Sequence, residues 1–496
     1  MIFPFFNKNY QISPDFTATL GSDSVYIGKF RRFLTEKIRY IYLRTKLSFY
    51  IFFILSSLIF VIIGKIVFIN QMFPDLQGAD WLLDIYGTTV TSVIFIIFFV
   101  TFTKYKDPYR EIKKKRGEKT KGKYTVSLMV AVKDEEDIIA RCLDSMINQT
   151  YEKKEIIVVN DASTDRTPQI LDEYAQKYNI KVIHLEKNVG KKRALAQAML
   201  KAKGEIFAFT DSDSILFPDA VEKIVRIFEE DEKVGAVSGH ARPLNADKNL
   251  ITKIQDSWYE GQFSVRKAFE SVFGAVTCVS GPLAVFRKEA VYNYIPAWEN
   301  DTFLGQEFKF ATDRTMTGFV LGCRYVGKKL KEKYANSPFV KSADYPPRDW
   351  KIVYCKSARV YTNVPDTLKK FIRQQVRWKK SFIRNTFFTG SFFWRKHPVI
   401  ASYYYLHILF VIVGPFIVFR HLFYLPLAEG IMYAAFEYLL GIIYIGFLFS
   451  IAFKIEDPES NKWIYRPLMN IISTFILSWL IFYSAATIKK MIWHRG

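Results

Sequence analysis

Cysteine is scarce in this chain. Its 496 residues contain four cysteines, and no two of them form a CxxC pair. This spacing does not fit the disulfide framework of a small secreted protein, so we expect reduced cytosolic thiols. Cys278 has no histidine close to it in sequence, which favours a buried small side chain over a nucleophile.

Acidic residues are also in deficit. The chain has 70 Lys and Arg against 48 Asp and Glu, a formal charge of +22, and it is 50% hydrophobic and 17% aromatic. Such an apolar composition predicts a membrane protein. A basic chain could instead bind nucleic acid, but the basic residues stand beside apolar segments and no nucleic-acid-binding motif is present. We expect no nucleic-acid partner.

Two apolar segments precede the central region. Residues 47–69 and 81–103 each reach the roughly 20 residues that a helix needs to cross a bilayer. The loop between them has no Lys or Arg, whereas basic clusters flank the pair, which predicts a hairpin with both ends in the cytosol. No small-residue cleavage site follows the first segment, so we do not interpret it as a signal peptide.

Three further apolar segments lie near the other end, at residues 400–425, 431–453 and 468–488. If all three crossed the membrane, the basic stretch 489–495 would lie outside, against the positive-inside rule. We therefore expect one segment to be re-entrant or interfacial. The last is the candidate, because a proline opens it and hydroxyl residues dilute it.

The region between these membrane segments alternates strand and helix patterns. Apolar, β-rich runs at 124–132, 155–160, 180–185 and 204–210 predict strands of a mostly parallel sheet, with ligands at their carboxyl ends. The predicted organisation is a basic segment, a transmembrane hairpin, a basic linker, an α/β domain, interfacial amphipathic helices and a transmembrane region, at residues 1–46, 47–103, 104–123, 124–362, 363–398 and 399–496.

Acidic residues follow several predicted strands. Asp211-Ser212-Asp213 comes directly after the fourth strand, and two carboxylates at this spacing can hold a divalent cation. Hydrated surface loops also contain this pattern. Asp161 follows the second strand and Glu135 the first, so we expect them to meet at one rim. The alternative for the acidic run at 134–137 is that it complements the dipole of a helix N-terminus.

Three other positions could take part in chemistry. Lys191 follows a turn into a helix, where it could meet a diphosphate or be plain surface charge. Ser280-Gly281-Pro282 could bring backbone close to a ligand, or be a structural turn. Asp313 could take a proton from a hydroxyl group, or cap the helix that follows it.

Gln374, Arg377 and Trp378 share one face of a predicted helix, at i, i+3 and i+4. Arg can clamp phosphate oxygens and Trp can offer an apolar face to a sugar ring. The alternative is an interfacial amphipathic helix. The two interpretations are compatible if opposite faces of the helix serve them. In that case Gln374, Arg377 and Trp378 face inward, and three basic side chains rest on the lipid headgroups, namely Lys379, Lys380 and Arg384.

The order of these motifs resembles that of the processive family 2 membrane glycosyltransferases, which include cellulose, chitin and hyaluronan synthases. The resemblance covers roughly residues 125–390 and is strongest to bacterial-type hyaluronan synthases and the related nodulation chitooligosaccharide synthases. The segments that carry it, besides the acidic motifs, are 188–191, 271–274, 280–283, 302–305, 363–366 and 374–382.

The resemblance implies a fold and an activity. It implies a cytosolic α/β domain of GT-A type between membrane helices of the plasma membrane. It also implies an inverting transferase that uses Mg²⁺ or Mn²⁺, polymerises UDP-GlcNAc and UDP-GlcA into hyaluronan, and extrudes the growing polysaccharide chain.

Residue roles are implied as well. Asp313 is the base and Asp213 the metal ligand. The nucleotide and donor are bound by Glu135, Asp161, Lys191, Asp211 and Arg377. The acceptor is bound by Gln374, Trp378, Ser280, Gly281 and Pro282.

Some positions depart from the family pattern, notably Lys133, Asn160 and the pair Ala311-Thr312. These differences bear on the donor set, so a chitin-like polymer of the same superfamily is one alternative. A non-catalytic transporter or scaffold is another, and the intact acidic motifs argue against it.

Overall fold

The computed structural model describes residues 81–117 and 120–490. The first predicted membrane segment and the basic region before it lie outside these residues. Within the described part, the strands are β1 Val126–Val132, β2 Lys154–Asn160, β3 Ile180–His184, β4 Ile206–Phe209, β5 Ser214–Leu216, β6 Val234–Pro243, β7 Ala284–Arg287, β8 Thr302–Phe303, β9 Gln306–Glu307 and β10 Lys351–Thr362.

The main sheet has eight strands in the order β3-β2-β1-β4-β7-β6-β10-β5, and β8 pairs only with β9 among the described residues. β3, β2, β1 and β4 run parallel, as do β6 and β10. Every residue of β1 except Ala131 is buried, the pattern of a strand covered on both faces. The predicted mostly parallel α/β sheet is confirmed.

Helices cover the sheet and continue into the apolar regions. Those of the described residues are α1 Trp81–Lys104, α2 Pro108–Arg116, α3 Ile139–Ile147, α4 Thr167–Lys177, α5 Lys191–Lys201, α6 Ala220–Glu230, α7 Leu250–Glu260, α8 Ala268–Val272, α9 Lys288–Val291, α10 Ile295–Glu299, α11 Thr312–Lys333, α12 Pro338–Ser342, α13 Leu368–Phe393, α14 Pro398–Phe419, α15 Leu425–Ala428, α16 Met432–Glu456, α17 Arg466–Ile472 and α18 Leu480–Ala486.

Three helical stretches of the described chain are long and apolar enough to cross a membrane, namely Ile85–Arg116, Pro398–Ala428 and Met432–Glu456. A fourth stretch is bent by 41° between Lys462–Leu477 and Leu480–Ala486. This bend falls in the last apolar segment, the one whose charge pattern conflicts with a simple crossing. A π-helical turn over Ser473–Leu477 lies just before it.

The basic residues predicted to rest on lipid headgroups lie elsewhere. Lys380 is buried and donates to the carbonyl oxygens of Thr487 (2.6 Å) and Lys490 (2.7 Å). Arg384 is buried against Asp301, with its Nε 3.1 Å from the carboxylate. That part of the prediction is wrong, because α13 packs against both α11 and α18 and those neighbours cover its basic side chains.

Asp301 joins three segments of the domain. Its carboxylate accepts from Arg384 on α13 and from Lys192 on α5 (2.9 Å), and its side chain is only 2% exposed. Lys192 also donates to the carbonyl oxygen of Phe308 at 2.8 Å. This buried cluster therefore anchors α5, which begins at Lys191, to α13, which carries Arg377.

We expect Asp301→Asn to destabilise the protein by about 3–5 kcal/mol, because the substitution leaves two buried cations without a carboxylate. Thermal unfolding of the detergent-solubilised protein, followed by tryptophan fluorescence, measures the loss. Asp247→Asn is the control, since that carboxylate pairs with Lys462 but is 80% exposed, and we expect a change within about 0.5 kcal/mol. Equal midpoints for the two variants would contradict the anchoring role.

Candidate active site

Asp161 lies at the carboxyl end of β2, beside the end of β1. Its backbone N–H donates to the carbonyl oxygen of Val132 at 2.9 Å. Its carboxylate accepts from the backbone N–H groups of Val189 (2.7 Å) and Gly190 (2.9 Å). Asp161 therefore holds the turn that begins α5 and sets the position of Lys191.

Acidic side chains crowd the edge where β1 and β4 end. Lys191 forms an ion pair with Asp211. Ser212 donates to the carboxylate of Glu135 at 3.2 Å. Burial raises the pKa of Asp213 to about 6, and the charges of Asp211 and Glu135 add to the shift. The structure thus brings the predicted acidic residues to one rim, where negative charge exceeds what Lys191 neutralises.

Asp213 is the carboxylate of this group whose surroundings suit a cation. It accepts only long hydrogen bonds among the described residues, from Ser214 (3.4 Å) and Thr362 (3.3 Å), and it forms no ion pair with them. No three His, Cys, Asp or Glu side chains of the described chain are grouped so as to hold a metal ion. A divalent cation here would need further oxygen ligands from a bound diphosphate.

Asp134 and Glu136 of the acidic run at 134–137 connect two loops of the domain. Asp134 accepts from the backbone N–H of Thr164 (2.7 Å) and Glu136 from that of Arg166 (2.9 Å), which ties the loop after β1 to the loop after β2. Because α3 begins only at Ile139, these residues do not occupy its first turn. The helix-dipole interpretation of this run is therefore wrong.

Asp313 lies in the first turn of α11. Its carboxylate accepts from the backbone N–H groups of Arg314 (2.8 Å) and Gly281 (3.3 Å), and the Cys278 thiol lies 3.6 Å away. The predicted capping role is wrong, because the N-cap position belongs to Ala311, in a left-handed conformation with φ 63°. Cys278 is half-buried, and burial raises the pKa of its thiol to about 11, so it stays protonated at neutral pH and does not suit a nucleophile.

The segment from Ser280 to Pro282 lies between Asp211 and Asp313. A Cβ on Gly281 would come within 3.0 Å of both carboxylate oxygens of Asp211, so only glycine fits without displacement. The carbonyl oxygen of Pro282 accepts from the Thr210 hydroxyl at 2.9 Å. This turn therefore packs directly against the acidic motif on one side and Asp313 on the other.

Lys267 is a residue of the site that the sequence analysis missed. It is 8% exposed, and its ammonium group donates to the hydroxyls of Ser280 (2.6 Å) and Ser238 (2.9 Å) and to the carbonyl oxygen of Cys278 (2.6 Å). These bonds fix the turn beside Asp313. No local pattern marks this lysine, because its partners come from distant parts of the chain.

The face of α13 predicted from helical spacing lies at the same place. Gln374, Arg377 and Trp378 line the cavity beside Asp313, and the side-chain oxygen of Gln374 is buried without a hydrogen-bond partner among the described residues. Trp378 stacks on Trp258 of α7, with ring centroids 5.5 Å apart. Trp258 is a second aromatic ring at this position that sequence reasoning missed.

All the predicted site residues line one cavity of about 1500 Å³. The cavity also continues between the apolar helices α1, α14, α16 and α17. Its lining there includes aromatic and polar side chains, among them Tyr86, Tyr403, Phe410, Tyr438 and Asn470. A ligand in the acidic rim and one between the membrane helices would therefore share a continuous space.

Comparisons with known proteins show what the sequence of this chain is similar to. Residues 127–295 match the model of Glycosyl transferase family 2. A hyaluronan synthase from Streptococcus pyogenes is 27% identical over 424 residues, 82% of this chain and 91% of that protein. An N-acetylglucosaminyltransferase from Rhizobium meliloti is 31% identical over 253 residues, 50% of this chain and 53% of that protein.

Among solved structures, a mannosyltransferase from Pyrobaculum calidifontis superposes with a TM-score of 0.46 and 17% identity, covering 82% of this chain and 99% of its own. The sequence matches confirm the resemblance drawn from the motifs. They support a family 2 glycosyltransferase.

We expect Asp161→Ala to weaken UDP binding about tenfold or more, because two charge-assisted hydrogen bonds that hold the turn before Lys191 are lost. Isothermal titration of the purified protein with UDP measures this. Asp137→Ala is the control, since Asp137 belongs to the same acidic region but is exposed and outside the cavity. Equal UDP affinity for the two variants would contradict the role given to Asp161.

Proposed function

We propose that this chain, whose residues 127–295 match a family 2 glycosyltransferase domain, is a processive, inverting hyaluronan synthase of the plasma membrane. It polymerises UDP-GlcNAc and UDP-GlcA in the cytosol and passes the polysaccharide chain across the membrane. The observation that carries the proposal is the single cavity that holds the acidic rim, Asp313 and Trp378 and continues between apolar helices. The similarity to a hyaluronan synthase over most of both chains supports the polymer identity.

The donor nucleotide occupies the acidic rim. Glu135 and Asp161 lie where the uridine binds, and Asp161 also holds the turn that presents Lys191. Lys191 and Arg377 bind the diphosphate from two different helices, since Lys191 begins α5 and Arg377 lies on α13, and both line the cavity. Both are cations that suit phosphate oxygens.

Mg²⁺ or Mn²⁺ fits the same rim. Asp213 would hold it, because this carboxylate lacks an ion-pair partner among the described residues, and burial, together with repulsion from Asp211 and Glu135, already raises its pKa. When bound, such a cation stabilises the negative charge of the departing diphosphate. Asp211 stays with Lys191 and so adds a fixed negative charge rather than a free ligand.

Asp313 acts as the base. Its carboxylate takes the proton of the acceptor hydroxyl while that oxygen bonds to the anomeric carbon of the donor sugar and the bond from that carbon to UDP breaks. Attack from the face opposite the leaving group inverts the anomeric configuration. The N–H groups of Arg314 and Gly281 hold the carboxylate in place, and the stacked Trp378 offers its face to the acceptor ring.

Chain growth leads the polymer into the membrane part of the cavity. The acceptor end stays beside Trp378 and Gln374, so each added sugar displaces the older units away from the acidic rim. The described cavity extends between α1, α14, α16 and α17, which would give the polymer a route into the membrane region. Synthesis and export are therefore coupled by geometry.

We expect Asp313→Asn to lower polymer synthesis by about 100-fold or more, the usual contribution of a general base, with UDP affinity unchanged within about twofold. Radiolabelled sugar incorporation and UDP titration give the two values. Asp344→Asn, at a carboxylate that is 80% exposed and remote from the cavity, is the control and should retain full synthesis. Undiminished polymer from Asp313→Asn would exclude Asp313 as the base.

The donor set is tested directly with membranes that contain the full-length protein. We expect polymer only when UDP-GlcNAc and UDP-GlcA are supplied together with Mg²⁺ or Mn²⁺, and none in the presence of a chelator. Polymer from UDP-GlcNAc alone would indicate a chitin-like synthase instead. Absence of any sugar transfer with every donor would favour a transporter or scaffold.

A further inference from the structure

The wall of the cavity beyond Asp313 is built by an unusual helix. α7 continues into a seven-residue π-helix, Gly261–Lys267, before α8 begins. Because a π-helix bonds each residue to the fifth one along, residues five apart lie on about the same face, and such segments often occur at functional sites. Gly261 and Arg266 are related in this way.

Arg466 of α17 lies against the start of this π-helix. Its Nε is 3.8 Å from the position that a Cβ on Gly261 would take. Arg266 and Arg466 both line the cavity. Two guanidinium groups that are far apart in sequence, one on the π-helix and one on α17, are therefore neighbours in this wall of the cavity.

Neither guanidinium group has an anionic partner among the described residues. The Nε–H groups of Arg266 and Arg466 are buried and donate to no hydrogen-bond acceptor in that part of the chain. Arg466 donates to the side-chain oxygen of Asn470 at 2.6 Å and lies 4.8 Å from the ring centre of Phe449, both of which are neutral. Buried cations without a counter-charge cost free energy, which an entering anion would recover.

The carboxylate nearest to Arg266 along the π-helix and α8 does not serve as that anion. Glu270 accepts from the backbone N–H (2.9 Å) and the hydroxyl (2.8 Å) of Thr277 and forms no ion pair with Arg266 or Arg466. Lys379 and Arg314 also line the cavity and form no ion pair with any described residue. The inner part of the cavity is thus positive, whereas its outer rim is negative.

Aromatic rings stand beside these cations. Trp378 stacks on Trp258, and Tyr403, Phe410 and Phe449 line the same space. Rings offer apolar faces to a pyranose, and a guanidinium fork matches the two oxygens of a carboxylate. Inorganic phosphate would use the cations but not the rings, so the combination fits a carboxylated sugar.

We propose that Arg266 and Arg466 bind the carboxylate of a uronate unit of the nascent chain after it has left the acceptor position. This inference rests on the proposed function and assigns the part of the cavity that selects an acidic polymer. A chitin-like chain has no carboxylate and would leave both guanidinium groups without a partner.

The test uses the full-length protein in lipid nanodiscs and two oligosaccharide probes. One probe alternates GlcNAc and GlcA, and the other is the same oligosaccharide with its carboxyl groups reduced to alcohols. We expect the wild-type protein to bind the acidic probe about tenfold or more tighter than the reduced one, by isothermal titration. Arg266→Gln and Arg466→Gln should each diminish this preference, and the double variant should abolish it.

Two further variants separate charge from folding. Arg373→Gln is the matched control, because Arg373 lies on α13 but is exposed and outside the cavity, and it should keep the wild-type preference. Arg266→Lys retains a positive charge at the same place and should keep part of it. If the glutamine variants keep the wild-type preference, or if Arg266→Lys loses it as fully as Arg266→Gln does, the inference is wrong.

UDP titration distinguishes the other anion that the cations could meet, the donor diphosphate. We expect UDP affinity in the double variant to stay within about twofold of wild type, because the inferred site lies beyond Asp313; a tenfold loss would assign both arginines to the donor and overturn the inference. The proposed function fails separately, if wild-type membranes make polymer from UDP-GlcNAc alone. Wild-type dependence on both donors with unchanged probe selectivity in the variants would reject only the uronate site.

Discussion

Carboxylates held close together at the edge of a parallel sheet are the constraint on which the rest of this site depends. β1, β2 and β4 end side by side, so Glu135, Asp161 and Asp211 must share a small volume. Their mutual repulsion is managed in different ways. Asp161 is stabilised by two backbone N–H groups and Asp211 by Lys191, whereas Asp213 keeps a raised pKa and so favours binding a cation.

The parts that meet this constraint come from distant positions in the chain. Gly281 allows its turn to approach Asp211, and the N–H of Gly281 donates to Asp313, so one short segment sets the distance between these two carboxylates. Lys267 holds that segment from the opposite side. Asp301 fixes the helices in a similar way, since its ion pairs with Lys192 and Arg384 join α5 to α13. A shift in any of these contacts would change the alignment of donor and acceptor.

Charge also divides the cavity along its length. Its rim is acidic, where a nucleotide with a divalent cation would bind, and its inner part carries Arg266, Arg466 and Lys379 among aromatic rings. Burial lowers the pKa of Lys379 to about 8, a sign of how poorly solvent reaches this region. Under the proposed function, an acidic polymer would leave a site that repels its carboxylates and enter one that binds them, and this electrostatic difference would favour export over return.

Local pattern alone determined much of this protein. Apolar runs located β1 to β4 to within about two residues at each end, since the strand pattern depends on neighbours in sequence. Parallel pairing of those strands implies that their acidic ends converge, and the spacing of Gln374, Arg377 and Trp378 implies a shared face.

Tertiary structure alone decided which residues cover each face of a helix or strand. The basic side chains of α13 fit lipid headgroups or protein equally well by pattern, and packing against α11 and α18 buried Lys380 and Arg384. Trp258, Lys267, Arg266 and Arg466 likewise acquire their roles only through partners far away in the chain, which no periodicity can reveal.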